Sequence, residues 1–255
     1  MLRSSLAMAL LTGCGGLHPI SKDGAGAYEA SLRVLDEGFI IAWHDTRHGQ
    51  AEVYARTLDA TGQPRGPEHR LTETAEFSFE PDLDVVGHDF VVAWYEQSRT
   101  GHQKAKVGLW TQGGEEKWVQ TLSASDRNGR NPVVRTVNGK FFCVWLEQST
   151  DSTDVWARWL DRDGSPLSPP RRIAPAGPTT WNLNALADRE GHAWVVFDAT
   201  ADTLTDEVFL VRVHDTLSTI VQLTADDGFS SKYPDLVIGS GQAALTWFDE
   251  RDGNR

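Results

Sequence analysis

The chain has 255 residues, a formal net charge of −12 and 40% apolar residues, and it contains ten Trp. This composition excludes a disordered chain, which lacks the apolar surface needed to form a core. The acidic residues are dispersed, and no basic stripe accompanies them. Because phosphate binding requires such a stripe, the charge disfavours nucleic acid as a partner.

The N-terminus has the pattern of a secretion signal. Arg3 is followed by the short apolar stretch Leu6–Leu11 and then by Gly13 and Cys14. This resembles a bacterial lipoprotein signal peptide, which implies that residues 1–13 are removed and that Cys14 is acylated. Each buried methylene of the acyl chains would add about 0.8 kcal/mol to membrane binding. An ordinary signal peptide or a frayed N-terminal segment is the alternative.

The residue after the cysteine is Gly15, which resembles lipoproteins of the outer membrane. We therefore expect a lipid-anchored protein of the cell envelope, with the membrane as one partner. No other stretch approaches the roughly 20 apolar residues that a spanning helix requires.

From near residue 20 onwards the sequence repeats with a period of about fifty-one residues. A Leu or Ile opens a short element at Ile20, Leu71, Leu122, Ile173 and Leu223. A Pro precedes the next strand at Pro81, Pro132 and Pro234, with Ala30 and Leu183 in the equivalent slots. An aromatic residue closes an apolar run at Trp43, Trp94, Trp145, Phe197 and Trp247, and a turn glycine follows at Gly62, Gly113 and Gly164. Such a period indicates stacked or radially arranged units.

The second copy shows four short apolar segments separated by Gly, Asn or Asp turns, which is the pattern of consecutive β-hairpins. The predicted strands are Asp82–Val86, Phe90–Trp94, Ala105–Trp110 and Trp118–Leu122. No stretch has helical periodicity. We predict an all-β fold, a β-propeller of four-stranded blades of about 51 residues each, with 4.5 to 5 blades in residues 14–255.

The second strand of each unit favours a propeller over a single sandwich. Its apolar run is unbroken at Phe39–Trp43, Phe90–Trp94, Phe141–Trp145 and Ala243–Phe248. A strand of this kind must be covered on both faces, as it is in a blade that packs between two neighbours. The closing aromatic residues would then fill the space between blades.

The last unit is predicted to be incomplete. Residues 249–253 closely copy residues 45–49, and the earlier segment leads directly into the predicted third strand, Glu52–Leu58. We therefore expect a propeller that is truncated at its C-terminus. A five-unit ring with a defective seam is the alternative.

These units distantly resemble the repeats of secreted bacterial propellers of the TolB-like type. The resemblance rests on Arg70–Thr72, Pro81, Ala93-Trp94, the loop of Asp45, Arg47 and Gly49, Glu52–Tyr54, and the turn of Leu58, Asp59 and Gly62. It implies a binding scaffold in the cell envelope, or a propeller domain attached to a hydrolase.

Two sets of residues are candidates for a ligand site. The first follows the second strands and would form a ring; its members are Asp45, Arg47, Glu96, Glu147, Asp249 and Arg251. A residue type that recurs in every copy more often makes a structural turn with an ion pair, and that interpretation stays open. The second set varies between copies and is expected in loops on one face; it comprises Phe77, Phe79, Asp126, Arg127, Arg130, Trp181, Phe229 and Tyr233. Variable loops on a rigid scaffold often carry binding, although ordinary loop packing is the alternative.

Signals for chemistry are weak. The eight His have no zinc-site spacing, Asp161–Gly164 lacks the spacing of a calcium loop, and no Gly-x-Ser-x-Gly motif is present. The sequence thus predicts no catalytic residue, no metal and no cofactor. Our first hypothesis is a membrane-anchored propeller that binds a protein or a glycan. The alternatives are a glycan-active hydrolase or lyase, or the non-catalytic propeller of one, and a structural envelope component.

Overall fold

The computed structural model describes residues 19–21, 26–150, 152–177, 180, 182–188, 190–200, 205–214, 217–239 and 242–251. The predicted signal peptide, Cys14 and Trp181 lie outside these ranges. The chain divides into two compact units, residues 1–121 (unit 1) and 122–255 (unit 2). The described residues form 18 strands and no helix, so none of them builds a helix that could span a membrane.

Unit 1 contains two antiparallel four-stranded sheets, and in each of them the strand order follows the chain. The first sheet consists of β1 (Ala27–Leu35), β2 (Gly38–Asp45), β3 (Glu52–Leu58) and β4 (Pro64–Arg70). The second consists of β5 (Phe77–Val86), β6 (Asp89–Gln97), β7 (Gln103–Thr111) and β8 (Glu116–Thr121). The second copy therefore has its four predicted strands, and each begins earlier in the chain than predicted.

Unit 2 contains two further four-stranded sheets and one two-stranded sheet. The third sheet consists of β9 (Asn128–Val137), β10 (Lys140–Gln148), β11 (Thr153–Leu160) and β12 (Arg171–Gly177). The fourth consists of β13 (Leu183–Ala187), β14 (Ala193–Thr200), β15 (Asp206–His214) and β16 (Leu217–Gln222). The fifth consists of β17 (Ser231–Gly239) and β18 (Gln242–Asp249).

The unbroken apolar runs lie in the second strand of each sheet, as predicted. The closing aromatics Trp43, Trp94, Trp145 and Phe197 are at most 2% exposed, which confirms that β2, β6, β10 and β14 are covered on both faces. The expectation is wrong for β18, where Trp247 is 40% exposed. Among the described strands β18 pairs only with β17, so one of its edges has no described neighbouring strand.

The first strand of four sheets contains a β-bulge with a left-handed residue. Glu29, Glu80, Asn131 and Tyr233 have φ of 50°, 50°, 46° and 55°. In all four strands the pairing register shifts at this residue and the Ala or Pro that follows it. A left-handed L-residue costs roughly 1–2 kcal/mol, and a bulge re-aims the side chains beside it. The repeat thus builds the same strained corner into every one of these strands.

Candidate functional site

The bulges of β1 and β5 bring aromatic side chains together in unit 1. Just before each bulge, Tyr28 lies opposite His44, and Phe79 lies opposite Tyr95. The ring centroids of Tyr28 and His44 are 5.4 Å apart, and those of Phe79 and Tyr95 are 5.5 Å apart. His44 meets Phe79 edge-on at 5.3 Å and so joins the two pairs. We call these four residues the aromatic row.

One end of the aromatic row is open to solvent. Tyr28 is 42% exposed, Phe79 and Tyr95 are half-buried, and His44 is buried. Phe77 extends the row, with its ring stacked 6.2 Å from that of Phe79. Aromatic rings with one apolar face left uncovered can stack against a flat apolar ligand surface.

Two carboxylates accompany the row, because Glu29 and Glu80 occupy the bulges beside Tyr28 and Phe79. The backbone N–H of Glu80 donates a hydrogen bond to the Glu29 carboxylate. Partial burial nevertheless raises the pKa of Glu29, although 53% of its side chain is exposed. The site therefore holds a solvent-accessible carboxyl group that keeps its proton to a higher pH than an ordinary Glu.

His44 is neutral at physiological pH. Burial lowers its pKa to about 4, against the opposing effect of Asp45. Its Nδ1 lies 3.3 Å from Oε2 of Glu29 but makes no hydrogen bond among the described residues. The contact is consequently a packing contact rather than an ion pair, and the buried ring supports the aromatic row from behind.

Polar contacts fix β1 against β5 below the row. The hydroxyl of Ser31 lies 3.5 Å from Asp82, and it accepts a hydrogen bond of 3.2 Å from the backbone N–H of Leu83. Arg33 lies 3.5 Å from Asp82 and 3.6 Å from Asp84. These contacts join equivalent strands of neighbouring repeats, so they set the spacing between the two bulges.

The candidate residue Asp45 ends β2, and Arg47 lies in the turn that follows; both form hydrogen bonds within the chain. Asp45 is 1% exposed, and it accepts hydrogen bonds from the backbone N–H and the guanidinium of Arg47. Arg47 also donates to Glu68 and lies over the ring of Tyr54, 4.7 Å from its centroid. All of these partners belong to the chain, so the network fixes the turn after β2.

The equivalent positions in the other sheets also have partners within the chain. Glu96 pairs with Lys106 at 2.7 Å. In unit 2, Glu147 accepts a 2.8 Å hydrogen bond from Nε1 of Trp145, and Arg251 pairs with Asp249 at 2.7 Å. Of the predicted ligand-binding residues, only Phe79 belongs to the aromatic row.

Phe77, Phe79, Arg130 and Tyr233 were expected in loops, and this placement is wrong. They lie in strands β5, β9 and β17, because the bulge allows each first strand to continue on the N-terminal side of its Pro. Tyr28, His44 and Tyr95 were not predicted as site residues. The signal that identifies them is the repeat, since Tyr28 and Phe79, like His44 and Tyr95, are one period apart.

Within the described ranges, one group of potential metal ligands occurs at the turn between β13 and β14. Single ligand atoms of Asp188, Glu190 and His192 lie within 4.8 Å of one another. However, Asp188 accepts hydrogen bonds from Nε1 of Trp194 at 2.8 Å and from the backbone N–H of His192 at 2.9 Å. Because its carboxylate already serves the turn, we assign no metal to this group.

No protein-family model and no curated protein matches this sequence. Solved structures do share its architecture. A protein of unknown function from Dyadobacter fermentans has a TM-score of 0.65 and 10% identity, over 91% of this chain and 73% of that one. An endo-arabinase from Bacteroides thetaiotaomicron has a TM-score of 0.57 and 9% identity, over 86% and 88% of the two chains.

A xylan β-1,4-xylosidase from Bacillus halodurans has a TM-score of 0.57 and 10% identity, over 88% of this chain and 49% of that one. The solved structures that resemble this chain include β-propeller glycoside hydrolases. The chain has the β-propeller fold. This confirms the predicted fold class, whereas identities near 10% show nothing beyond it.

Proposed function

We propose that this protein is a glycan-active β-propeller and that the aromatic row of unit 1 holds part of an oligosaccharide. The observation that carries the proposal is the row itself, whose neighbouring rings lie 5.3–5.5 Å apart beside Glu29 and Glu80. A sugar ring has apolar C–H faces and hydroxyl edges, so it suits aromatic faces flanked by carboxylates. The endo-arabinase and the xylosidase are named for glycan substrates, which supports the same ligand class.

Each group has a distinct part in such a site. Tyr28, at the exposed end, offers its ring face to the sugar, and Phe79 and Tyr95 continue that surface inwards. The carboxyl group of Glu29 is half exposed and can exchange hydrogen bonds with sugar hydroxyls. The strained bulges hold these side chains in place before a ligand arrives, which lowers the ordering cost of binding.

The test is calorimetric titration of the full chain with arabino-oligosaccharides and xylo-oligosaccharides. We expect saturable binding, and Tyr28→Ala should weaken it about tenfold, since a stacked ring contributes about 0.5–1.5 kcal/mol beyond its buried area. Phe248→Ala is the matched control, because Phe248 is an exposed aromatic (38%) in unit 2 and belongs to neither set of candidate ligand residues. Absence of binding to either series, or equal losses in the two variants, would refute the proposal.

Glycoside hydrolysis at the same site is the second candidate, and Glu29 is the observation that favours it. A general acid must keep its proton near neutral pH, and partial burial raises the pKa of this accessible carboxyl group. Incubation of the chain with the same oligosaccharides should then release reducing ends. Glu29→Gln should abolish the release and retain binding, whereas release that survives this variant would exclude Glu29 as the acid.

We also propose that acylation of Cys14 anchors the protein to the cell envelope, as the N-terminal sequence indicates. Mass spectrometry of the protein from membranes should find the acyl chains on Cys14. Cys14→Ser should move the protein to the soluble fraction, and unchanged membrane association would refute the anchor.

A further inference from the structure

Unit 2 contains a cavity of about 530 Å³ that none of the preceding functions uses. It lies between the third and fourth sheets, beneath the β9–β10 turn at Asn138 and beside the segment that leads into β12. A volume of this size is typical of sites for small organic ligands. All of its lining residues belong to unit 2, and the aromatic row of unit 1 contributes none of them.

The wall of the cavity is mainly apolar and partly aromatic. The rings of Phe142 and Trp159 meet with their centroids 4.9 Å apart. Pro169 and Pro170 follow on the segment before β12, and Ile173 and other apolar residues complete the wall. Proline has no backbone N–H, so this stretch of wall offers few hydrogen-bond donors. The surface suits a flat apolar body.

The polar groups of the wall are mostly donors. Nε1 of Trp159 and Nη2 of Arg171 are both buried and have no hydrogen-bond partner among the described residues. A buried donor without a partner costs free energy, and a charged one costs more, and a hydrogen-bond acceptor beside it relieves that cost. The Trp159 main chain is already fixed, because its carbonyl accepts a 3.0 Å hydrogen bond from the N–H of Leu167.

The charge of the wall is opposite to that of the whole protein. Lys140 and Arg171 line the cavity and no Asp or Glu does, although the chain carries a net charge of −12. Arg172, the next residue, pairs with Asp154 at 3.2 Å, whereas Arg171 makes no ion pair within the described ranges. A carboxylate is the acceptor that fits a guanidinium best, since it takes charge-assisted hydrogen bonds.

From this combination we infer that the cavity binds a small, flat, apolar molecule bearing one carboxylate. The ring system packs against Trp159, which buried Phe142 supports from behind, and against Pro169 and Pro170. The carboxylate accepts hydrogen bonds from Arg171 and the indole N–H of Trp159. Lys140, which is exposed, adds positive charge that attracts the anion.

The experiment titrates the full chain with 2-naphthoate and with its neutral analogue 2-naphthalenemethanol, followed by calorimetry. We expect one naphthoate site with a Kd below about 1 mM, and about tenfold weaker binding of the alcohol. Arg171→Gln should weaken naphthoate binding about tenfold and leave the alcohol unchanged. Trp159→Phe keeps an aromatic ring and removes the indole donor, so it should weaken naphthoate binding severalfold.

Arg172→Gln is the matched control, since it removes the same charge one residue away and outside the cavity wall. It should leave naphthoate binding unchanged, and circular dichroism should show that every variant is folded. Three results would overturn the inference: no saturable binding, equal affinities for the acid and the alcohol, or equal losses in Arg171→Gln and Arg172→Gln.

Discussion

Two tryptophans at the same position of neighbouring repeats provide a sharp test of the hydrogen bonding. Nε1 of Trp145 donates to Glu147 at 2.8 Å, and Glu147 is 3% exposed. Nε1 of Trp94 is buried and has no hydrogen-bond partner in the part of the chain that the structure describes, although Glu96 occupies the position equivalent to Glu147. The pairs Trp145/Glu147 and Trp94/Glu96 therefore differ in whether the indole N–H donates to the carboxylate, since Glu96 pairs with Lys106 instead.

Double-mutant cycles isolate that bond, because the cavity left by Trp→Phe cancels within each cycle. We expect a coupling free energy of about 1.5–3 kcal/mol between Trp145→Phe and Glu147→Ala, the usual contribution of a hydrogen bond to a charged group. The coupling between Trp94→Phe and Glu96→Ala should lie near zero. Trp94→Phe should also destabilise only mildly, because it removes a buried donor that has no acceptor among the described residues.

The assay is urea unfolding of the four variants of each cycle, followed by tryptophan fluorescence and circular dichroism. Unit 1 holds one pair and unit 2 the other, so two separate transitions would be fitted individually. Equal coupling energies in the two cycles would refute the reasoning, since they would show that the hydrogen bond of Trp145 is not what distinguishes the pairs.

Three further predictions concern single residues. His44 has a pKa near 6.5 in the unfolded chain and about 4 in the folded protein. The free energy of unfolding should therefore be highest above about pH 6.5 and fall between pH 6.5 and 4 by up to about 1.4 kcal/mol per pH unit. His44→Asn should flatten this slope in urea titrations. Tyr233 has a left-handed backbone conformation (φ 55°), and its side chain is 65% exposed. Tyr233→Gly should therefore be about 1 kcal/mol more stable than Tyr233→Ala in the same assay, and the reverse order would show that the backbone is not strained there. Cys143 is buried, and burial raises the pKa of its thiol. In a Cys14→Ser background, a thiol reagent should therefore label Cys143 only as the protein unfolds. Rapid labelling of the folded protein would show that the reagent reaches the core.

The strands that were easiest to predict are those whose sequence alone determines their burial. Phe90–Trp94 is apolar at every position, and β6 is covered on both faces. By contrast, β4 has the sequence Pro-Arg-Gly-Pro-Glu-His-Arg, which contains no strand pattern, and it is a strand because β3 pairs with it. Proline is tolerated there because β4 lies at the edge of its sheet. Pairing in the folded protein, rather than local propensity, decides such elements.

The candidate site was harder to predict because it depends on contacts between repeats. Phe79 was identified as an aromatic residue that varies between copies, but its neighbour His44 belongs to the preceding repeat. The left-handed conformation of Glu29 and Glu80 was not foreseen, since non-glycine residues seldom adopt it. A Pro after Glu80 excludes a helical continuation but does not specify a bulge.

The bulges give the first strands a fixed backbone that carries different side chains. The backbone is the same at Glu29, Glu80, Asn131 and Tyr233, whereas the side chains are acidic, amide and aromatic. A fixed left-handed corner costs stability in each of these four copies, so it persists only where the surrounding sheet holds it. Such a corner holds the side chain at one position of the strand, while the residue type there differs between copies. A ligand site assembled there can change its specificity without any change in the blade that supports it.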